Sequence, residues 1–323
     1  MIYMIPKIKM IILSCYMKLL TYKTSESESH QLGVLKNQLV YNLNSCFGNI
    51  SLIELIQLND YKQQINAFIS NNDCLTHDFN NIIILPTIPK PTSFRDAYAF
   101  REHVATSRKN RGVEMIEEFD QFPVFYFSNH NAIFGDKEDI ELMPDHFQKL
   151  DYELEFAIVI GKGGVNILSK DADKYIAGFC ILNDLSAREL QMEEMKLNLG
   201  PAKGKDFANV LGPYLVTPDE LEDNAIDTPF GKKYNLQMKC YVNGKLLSQG
   251  NARDMNWTFA EIIERASYGV ELFPGDVIGS GTVGTGCLLE LNGSGKTLNP
   301  NHKDIWIKDG DEIEMKIQEL GKI

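Results

Sequence analysis

Three acids at alternate positions begin the stretch LDYELEFAIVIG, which then becomes almost purely apolar. They are Asp151, Glu153 and Glu155. In a β-strand, Glu153 and Glu155 point to the same face, roughly 7 Å apart along the backbone. Buried carboxylates repel each other and lose hydration, and a hard divalent cation such as Mg²⁺ or Ca²⁺ relieves both costs. The pattern therefore indicates a metal site or, alternatively, a solvated face at a sheet edge.

A further acid stands in ILNDLSARELQ, where Asp184 ends an apolar strand just before a predicted helix that begins at Ser186. Ser186 and Glu189 form a capping-box pattern, which leaves Asp184 free to bind a ligand. Arg188 and Gln191 share one face of this helix and could direct donors to the same place. The alternative is that Asp184 is itself an N-cap and that the helix face is ordinary polar surface.

An acid and a histidine stand seven residues apart in SFRDAYAFREHVATSR, at Asp96 and His103. We predict a helix over residues 94–108, which would place the two side chains two turns apart on one side. That arrangement is typical of an acid near a metal with a titratable base above it. The alternatives are a capping box between Ser93 and Asp96 and a purely structural histidine.

The elements that must position these residues include more strands than helices, without regular alternation, which predicts an α+β fold rich in β-structure. Asn243-Gly244 indicates a hairpin, and Thr258 with Glu261 a capping box. The predicted strands are KLLTYK, LGVL, QLVYNL, NIIILP, PVFYF, residues 151–160, YIAGFCIL, FPGDVIGSG, CLLEL and DGDEIEMKIQEL. Besides the helices above, we predict SLIELIQL, YKQQINAFIS and a helix after Thr258.

The composition narrows the class of protein. The net charge of −12 offers no basic stripe for nucleic acid, and no segment is long and apolar enough for a membrane span. We interpret the six cysteines as reduced, mostly buried thiols of a cytoplasmic protein. Residues 1–16 are predicted to be a non-essential extension; a signal peptide is the alternative, although its apolar run is short.

Seven segments, in order, resemble the fumarylacetoacetate hydrolase family over about residues 84–323. They are RDAYAFREHVATSR, FPVFYF, LDYELEFAIVIG, LNDLSARELQ, GKDF, IGSGTVGTGCLLEL and DGDEIEMKI. The resemblance implies a mixed β-roll catalytic domain over residues 84–323. It also implies a small N-terminal SH3-like β domain, which we assign to residues 17–83. A homodimer is implied as well.

The resemblance also implies roles for individual residues. The metal ligands would be Asp96, Glu153, Glu155 and Asp184. The catalytic group would be His103 as base, Glu290 orienting it, and Lys205, Arg188 and Gln191 as donors to an oxyanion. Tyr126 and Thr282 would contact the substrate, together with Arg188 and Gln191. Taken singly, each has a plainer explanation: Glu290 on an edge strand, Lys205 as a loop cation, Tyr126 and Thr282 as strand formers.

Two positions depart from the family pattern. Met195 falls near a position that holds a substrate-contacting tyrosine in the family, and Asn209 replaces a threonine or serine that often supports the metal site.

The resemblance implies metal-dependent hydrolysis of a C–C bond in a 1,3-diketo acid, of the fumarylacetoacetate or acylpyruvate type. The alternatives are a decarboxylase, tautomerase or dehydratase of a 2-oxo acid, and a non-catalytic metal-stabilised binding protein.

Overall fold

The computed structural model describes residues 16–25 and 27–323. Nearly all of the predicted extension, residues 1–15, lies outside the described residues. The strands are β1 Lys18–Thr24, β2 Ser27–Lys36, β3 Leu39–Asn42, β4 Thr76–Asp78, β5 Ile82–Ile84, β6 Phe94–Ala97, β7 Phe125–Phe127, β8 Ile133–Phe134, β9 Leu150–Asp151, β10 Leu154–Ile160, β11 Ile176–Asp184, β12 Ser186–Ala187, β13 Asn209–Val216, β14 Ala225–Thr228, β15 Gly231–Tyr234, β16 Gln237–Val242, β17 Lys245–Asn251, β18 Val277–Gly279, β19 Ile313–Ile317 and β20 Gly321–Lys322.

The α-helices are short and lie between the strands. They are α1 Asn44–Phe47, α2 Leu52–Leu55, α3 Tyr61–Ser70, α4 Arg101–Asn110, α5 Ser169–Ala172, α6 Arg188–Met195, α7 Phe259–Ala266 and α8 Leu288–Leu298. The 3₁₀-helices are Phe79–Asn81, Glu117–Asp120, Pro144–Phe147, Asp173–Tyr175, Pro218–Asn224 and Ala252–Asp254. The predicted β-rich α+β class is confirmed. Within the described residues, every helix is too short or too polar to cross a lipid bilayer.

One large mixed sheet organises the molecule. Its strands run in the order β4-β3-β2-β1-β13-β11-β10-β18-β6-β7, with β5 added on β1 and β8 on β13. Most neighbours are antiparallel, whereas β18 with β6 and β13 with β8 are parallel. A smaller sheet, β17-β16-β19-β20, includes the hairpin predicted at Asn243-Gly244, where both residues have positive φ.

The acidic strand β10 lies inside this sheet, between β11 and β18. All seven of its residues are buried, because apolar clusters cover both faces of the sheet. Helix α7 contributes to one cluster through Phe259, Ile262 and Ile263, and it begins with the predicted capping box of Thr258 and Glu261. Glu155 is therefore fully buried, and the solvated-edge alternative for the acidic strand is wrong.

The N-terminal segment joins the same sheet, because β1 pairs with β13 through Leu19 and Leu215. Leu19 and Leu215 also share one apolar cluster with Val159 of β10. The division into residues 17–83 and 84–323 and the SH3-like description stay predictions.

The cysteine prediction is partly wrong, because Cys46 and Cys74 form a disulfide with 5.8 Å between their Cα atoms. The pairing of β3 with β4 brings the segment after Asn42 beside Leu75, whose carbonyl accepts from the Asn42 amide. Partners that distant in sequence cannot be deduced from cysteine spacing alone. Cys180, Cys240 and Cys287 are free and buried as predicted, and Cys15 lies outside the described residues.

Three local predictions around the candidate site are wrong. Residues 94–108 are not one helix: Phe94–Ala97 is a strand, and the helix begins only at Arg101. Ser93 does not cap it but donates to Asp276. The segment CLLEL is not a strand but the start of helix α8.

Helix α6 also differs from its prediction. Ser186 lies in the short strand β12, and its hydroxyl donates to the Asp184 carbonyl instead of capping the helix. The helix begins at Arg188, after an Ala187 that makes no side-chain cap.

Candidate active site

Strand register brings three distant carboxylates together. Gly279 of β18 pairs with Ala157 of β10 on one side and with Asp96 of β6 on the other. Because Gly279 has no side chain, the Asp96 carboxyl leans over it and reaches Glu155, which shares a face with Ala157. Asp184 comes from the end of β11, which flanks β10 on the opposite side. Asp96 therefore acts from a strand, not from the predicted helix with His103.

The resulting cluster offers oxygen atoms to a cation. One carboxylate oxygen each of Asp96, Glu155 and Asp184 lies within 4.8 Å of the others, and all three residues are buried. Glu155 Oε2 and Asp184 Oδ1 are buried and have no hydrogen-bond partner in the described part of the chain. An unpaired buried carboxylate oxygen is costly, and a hard cation would satisfy it. These residues therefore fit a divalent metal ion.

Burial and mutual repulsion raise the pKa values of the three clustered carboxyl groups. Burial, and then the neighbouring Asp184, raise the pKa of Asp96 to about 7. Burial also raises the pKa of Asp184 to about 6, although Lys205 opposes the shift. Burial and the neighbouring Asp96 raise the pKa of Glu155 well above its ordinary value. Three carboxyls that resist ionisation together are typical of a site completed by positive charge.

Glu153 stands beside this cluster but is paired differently. It accepts from Arg188 Nη2 at 2.7 Å and also contacts Lys205 Nζ. Burial raises the pKa of Glu153, but the nearby charges of Lys205 and Arg188 lower it by more. The pKa of Glu153 therefore lies below its ordinary value. Of the four predicted metal ligands, Glu153 is therefore the one that lies beside the cluster as the charged partner of Lys205 and Arg188.

Lys205 links Glu153 to the carboxylate cluster. Its Nζ donates to Asp184 Oδ2 at 2.6 Å as well as to Glu153, and the residue is only 3% exposed. Both acids raise the pKa of Lys205 above its ordinary value, although burial opposes them. An ammonium has three donors, so one N–H remains for a bound oxygen atom.

Arg188 is held inside the protein by Asp151, a residue for which the sequence suggested no role. Arg188 Nε donates to Asp151 Oδ2 at 2.8 Å, and Nη1 donates to Gln191 Oε1 at 2.9 Å. Asp151 also accepts from the amides of Leu288 and Leu289, and so fixes the start of helix α8. Its position two residues before Glu153 was the only available signal. Gln191 still has its amide N–H groups for the pocket.

Helices α4 and α8 supply the predicted base and its partner. His103 Nδ1 lies 2.6 Å from Glu290 Oε2, and Glu290 Oε1 accepts from the Thr285 amide at 3.0 Å. Asn110, at the end of α4, donates to the Glu290 carbonyl, and the Tyr98 ring packs edge-on against the imidazole. Because Nδ1 is engaged, Nε2 is the nitrogen available to a reactant.

Tyr126 and Thr282, two of the four predicted substrate contacts, both touch metal-ligand candidates. Tyr126 donates its hydroxyl hydrogen to Asp184 Oδ2, although strands β10, β18 and β6 separate their strands in the sheet order. This contact shows how strongly the sheet curls around the site. Thr282 Oγ1 donates to Glu155 Oε1 at 3.1 Å. Burial raises the pKa of the Tyr126 phenol well above its usual range, so it stays a donor.

Many of these side chains line a pocket of about 720 Å³, among them Asp96, His103, Glu155, Gln191 and Lys205. A pocket of this size matches a small organic ligand. Met195 also lines this pocket, so the position where the resemblance implies a substrate-contacting tyrosine offers no polar group. Asn209 is buried beside Asp184 across the β11–β13 pair, and its Oδ1 has no partner within the described residues.

Residues 92–323 match the family model described as fumarylacetoacetate (FAA) hydrolase C-terminal. Among curated relatives, the mitochondrial oxaloacetate tautomerase FAHD2B of Bos taurus is 35% identical over 201 residues, which is 62% of this chain. The match spans 57% of that protein's length.

Two solved structures cover 95% of this chain, and each is matched over 97% of its own length. The fumarylacetoacetate hydrolase of Exiguobacterium antarcticum has a TM-score of 0.71 at 23% identity. The maleylpyruvate hydrolase of Sphingobium sp. SYK-6, in complex with manganese(II) and pyruvate, has a TM-score of 0.69 at 20% identity. At these identities, the likeness establishes the fold.

Proposed function

Because the chain belongs to the fumarylacetoacetate hydrolase family, we propose that it is a metal-dependent hydrolase that cleaves a C–C bond in a 1,3-diketo acid. The observation that carries this proposal is the hydrogen bond of 2.6 Å between His103 and Glu290, at the pocket that His103 lines together with Asp96 and Glu155. A base beside a cation site is the arrangement that metal-assisted hydrolysis requires.

The proposed ligands are Asp96, Glu155 and Asp184, with Glu153 as the fourth. Mg²⁺ and Ca²⁺ both accept such oxygen ligands. When bound, the ion would polarise the substrate's carbonyl oxygens and stabilise the enolate charge that develops as the bond breaks. Lys205 would then exchange its contact with Glu153 or Asp184 for one to the substrate.

The protein's own residues carry the proton transfers. His103 Nε2 accepts a proton from water, and Glu290 stabilises the imidazolium through Nδ1–H. The hydroxyl adds to the acyl carbonyl carbon. The remaining N–H of Lys205 and the amide of Gln191 donate to the oxyanion formed there. As the C–C bond breaks, the proton returns to the leaving carbon, giving a carboxylic acid and an oxo acid, which is a 2-oxo acid from an acylpyruvate and a 3-oxo acid from fumarylacetoacetate.

A second candidate function is tautomerisation of a 2-oxo acid such as oxaloacetate. The name of the bovine relative favours it, and so does the pairing of Arg188. The contacts of that guanidinium with Asp151, Glu153 and Gln191 leave it little capacity for an oxyanion. In this reaction His103 Nε2 would take a proton from the carbon next to the carbonyl and return it to oxygen, without attack by water.

Product analysis separates the two candidates. Purified protein is incubated with acylpyruvates, fumarylacetoacetate and oxaloacetate, with Mg²⁺, with Ca²⁺ and with a chelator. Hydrolysis predicts metal-dependent release of pyruvate from an acylpyruvate or of acetoacetate from fumarylacetoacetate. Tautomerisation predicts faster enol–keto conversion of oxaloacetate with no change in its amount. If neither product appears and the folded protein still binds the metal, the chain is a non-catalytic binding protein.

A further inference from the structure

A second group of metal-ligating side chains lies outside the carboxylate cluster. It consists of His103, Cys287 and Glu290, all of them buried. One ligand atom of each, a ring nitrogen, Sγ and a carboxylate oxygen, lies within 4.8 Å of the other two. Unlike the all-oxygen cluster, this group contains sulfur and nitrogen.

Helix packing determines the geometry of the group. Cys287 is the residue that precedes α8, and Glu290 lies three residues further along. Helix α4 packs against α8 and carries His103 to the same point. Cys287 is in no disulfide, so its Sγ can serve as a ligand.

We infer that His103, Cys287 and Glu290 form a second, inhibitory site for a thiophilic divalent ion such as Zn²⁺. Thiolate, imidazole and carboxylate together are a ligand set that Zn²⁺ accepts in tetrahedral coordination, with water in the fourth position. Mg²⁺ and Ca²⁺ prefer oxygen ligands, so they favour the carboxylate cluster. The Cys287 thiol releases its proton to solvent on coordination.

Zinc binding at this site would disable the base. The separation of 2.6 Å between His103 Nδ1 and Glu290 Oε2 suits a hydrogen bond. Two ligand atoms held at about 2.0–2.1 Å from one tetrahedral zinc lie roughly 3.3 Å apart, so this hydrogen bond would open. This inhibition rests on the proposed function, whereas the binding itself does not.

Cobalt(II) tests the binding independently of activity. The protein is saturated with Mg²⁺ and titrated with Co²⁺ under reducing conditions, and the near-ultraviolet thiolate-to-cobalt charge-transfer band is recorded. The inference predicts the band in the wild type and in Cys240→Ser, which changes another buried thiol, and its loss in Cys287→Ser. No band in the wild type, or the same band in Cys287→Ser, would overturn the inference. If Cys287→Ser does not fold, anomalous scattering at the zinc edge from wild-type crystals decides the same point.

Inhibition by zinc tests whether an ion at this site disables His103. With Mg²⁺ saturating, the concentration of Zn²⁺ that halves activity is expected to be at least tenfold higher for Cys287→Ser than for the wild type and Cys240→Ser. Equal sensitivity of all three proteins would contradict inhibition through this site. If no oxo acid is turned over, the proposed function fails, and the cobalt spectrum still decides whether the site exists.

Discussion

His103 and Glu290 are 187 residues apart in sequence, yet His103 Nδ1 lies 2.6 Å from Glu290 Oε2. The Thr285 amide holds the other carboxylate oxygen. This arrangement fixes the orientation of the imidazole and leaves Nε2 toward the pocket. His103 lies on helix α4, whereas Asp96, Glu155 and Asp184 lie on strands of the large sheet.

Replacement of this base tests its role. His103→Ala should lower kcat by about 10²–10⁴-fold, the usual contribution of a general base, with metal affinity nearly unchanged. Glu290→Gln should cost less, about 10–100-fold, because the amide keeps a contact but does not stabilise the imidazolium. Steady-state kinetics and calorimetric Mn²⁺ titrations measure both. A wild-type rate in His103→Ala on a diketo acid would show that the base is another group.

Metal removal should lower stability as well as activity. Without the ion, the buried carboxyls of Asp96, Glu155 and Asp184 repel one another. An ion at 100 times its Kd should add about 2.7 kcal/mol to the free energy of unfolding, which thermal melts with and without a chelator will detect. Glu155→Gln should abolish the metal-dependent rise in Tm. An equal rise in that variant would place the stabilising ion elsewhere.

The Asp151–Arg188 pair should be a main determinant of local stability. Both residues are buried, and Asp151 also accepts from two amides of α8. Asp151→Ala should lower the free energy of unfolding by about 3–5 kcal/mol, because it removes one of the two carboxylates that pair with the buried Arg188 and both acceptors of the α8 amides. The matched control is Glu189→Ala, which removes an exposed pair with Lys149 and should lower the free energy of unfolding far less. Urea unfolding measures both, and similar costs would contradict this description.

Gly279 should be required for the metal site. A Cβ there would lie 2.2 Å from Asp96 Oδ1 and 2.7 Å from a methyl of Leu182. Gly279→Ala should therefore push the Asp96 carboxyl away from Glu155 and weaken Mn²⁺ binding, which calorimetry measures. Urea unfolding of the same variant separates this effect from general destabilisation. Unchanged Mn²⁺ affinity would show that Asp96 is not a ligand.

The sequence predicts the acidic strand well, because alternation with period two places Glu153 and Glu155 on one face whatever surrounds them. It also predicts the end of β11 at Asp184, where an apolar run stops. It does not predict the strand that carries Asp96, because FRDA is only four residues long and its conformation depends on its partners β18 and β7. Strand pairing of this kind depends on register across the sheet, which local pattern does not encode.

Other features depended on long-range contacts in the same way. The composition of LLEL predicts a strand around Glu290, whereas Asp151 anchors the start of a helix there. The role of Asp151 itself depends on Arg188, 37 residues later. The disulfide between Cys46 and Cys74 likewise follows from the pairing of β3 with β4.

The position of the metal ion is the central claim, and diffraction from Mn²⁺-soaked crystals at the manganese absorption edge tests it most directly. We predict one strong anomalous peak within about 2.0–2.4 Å of oxygens from Asp96, Glu155 and Asp184, with Lys205 displaced from Asp184 or Glu153. A map with no peak at these oxygens, in which Lys205 keeps both contacts and water fills the remaining space, would contradict the account.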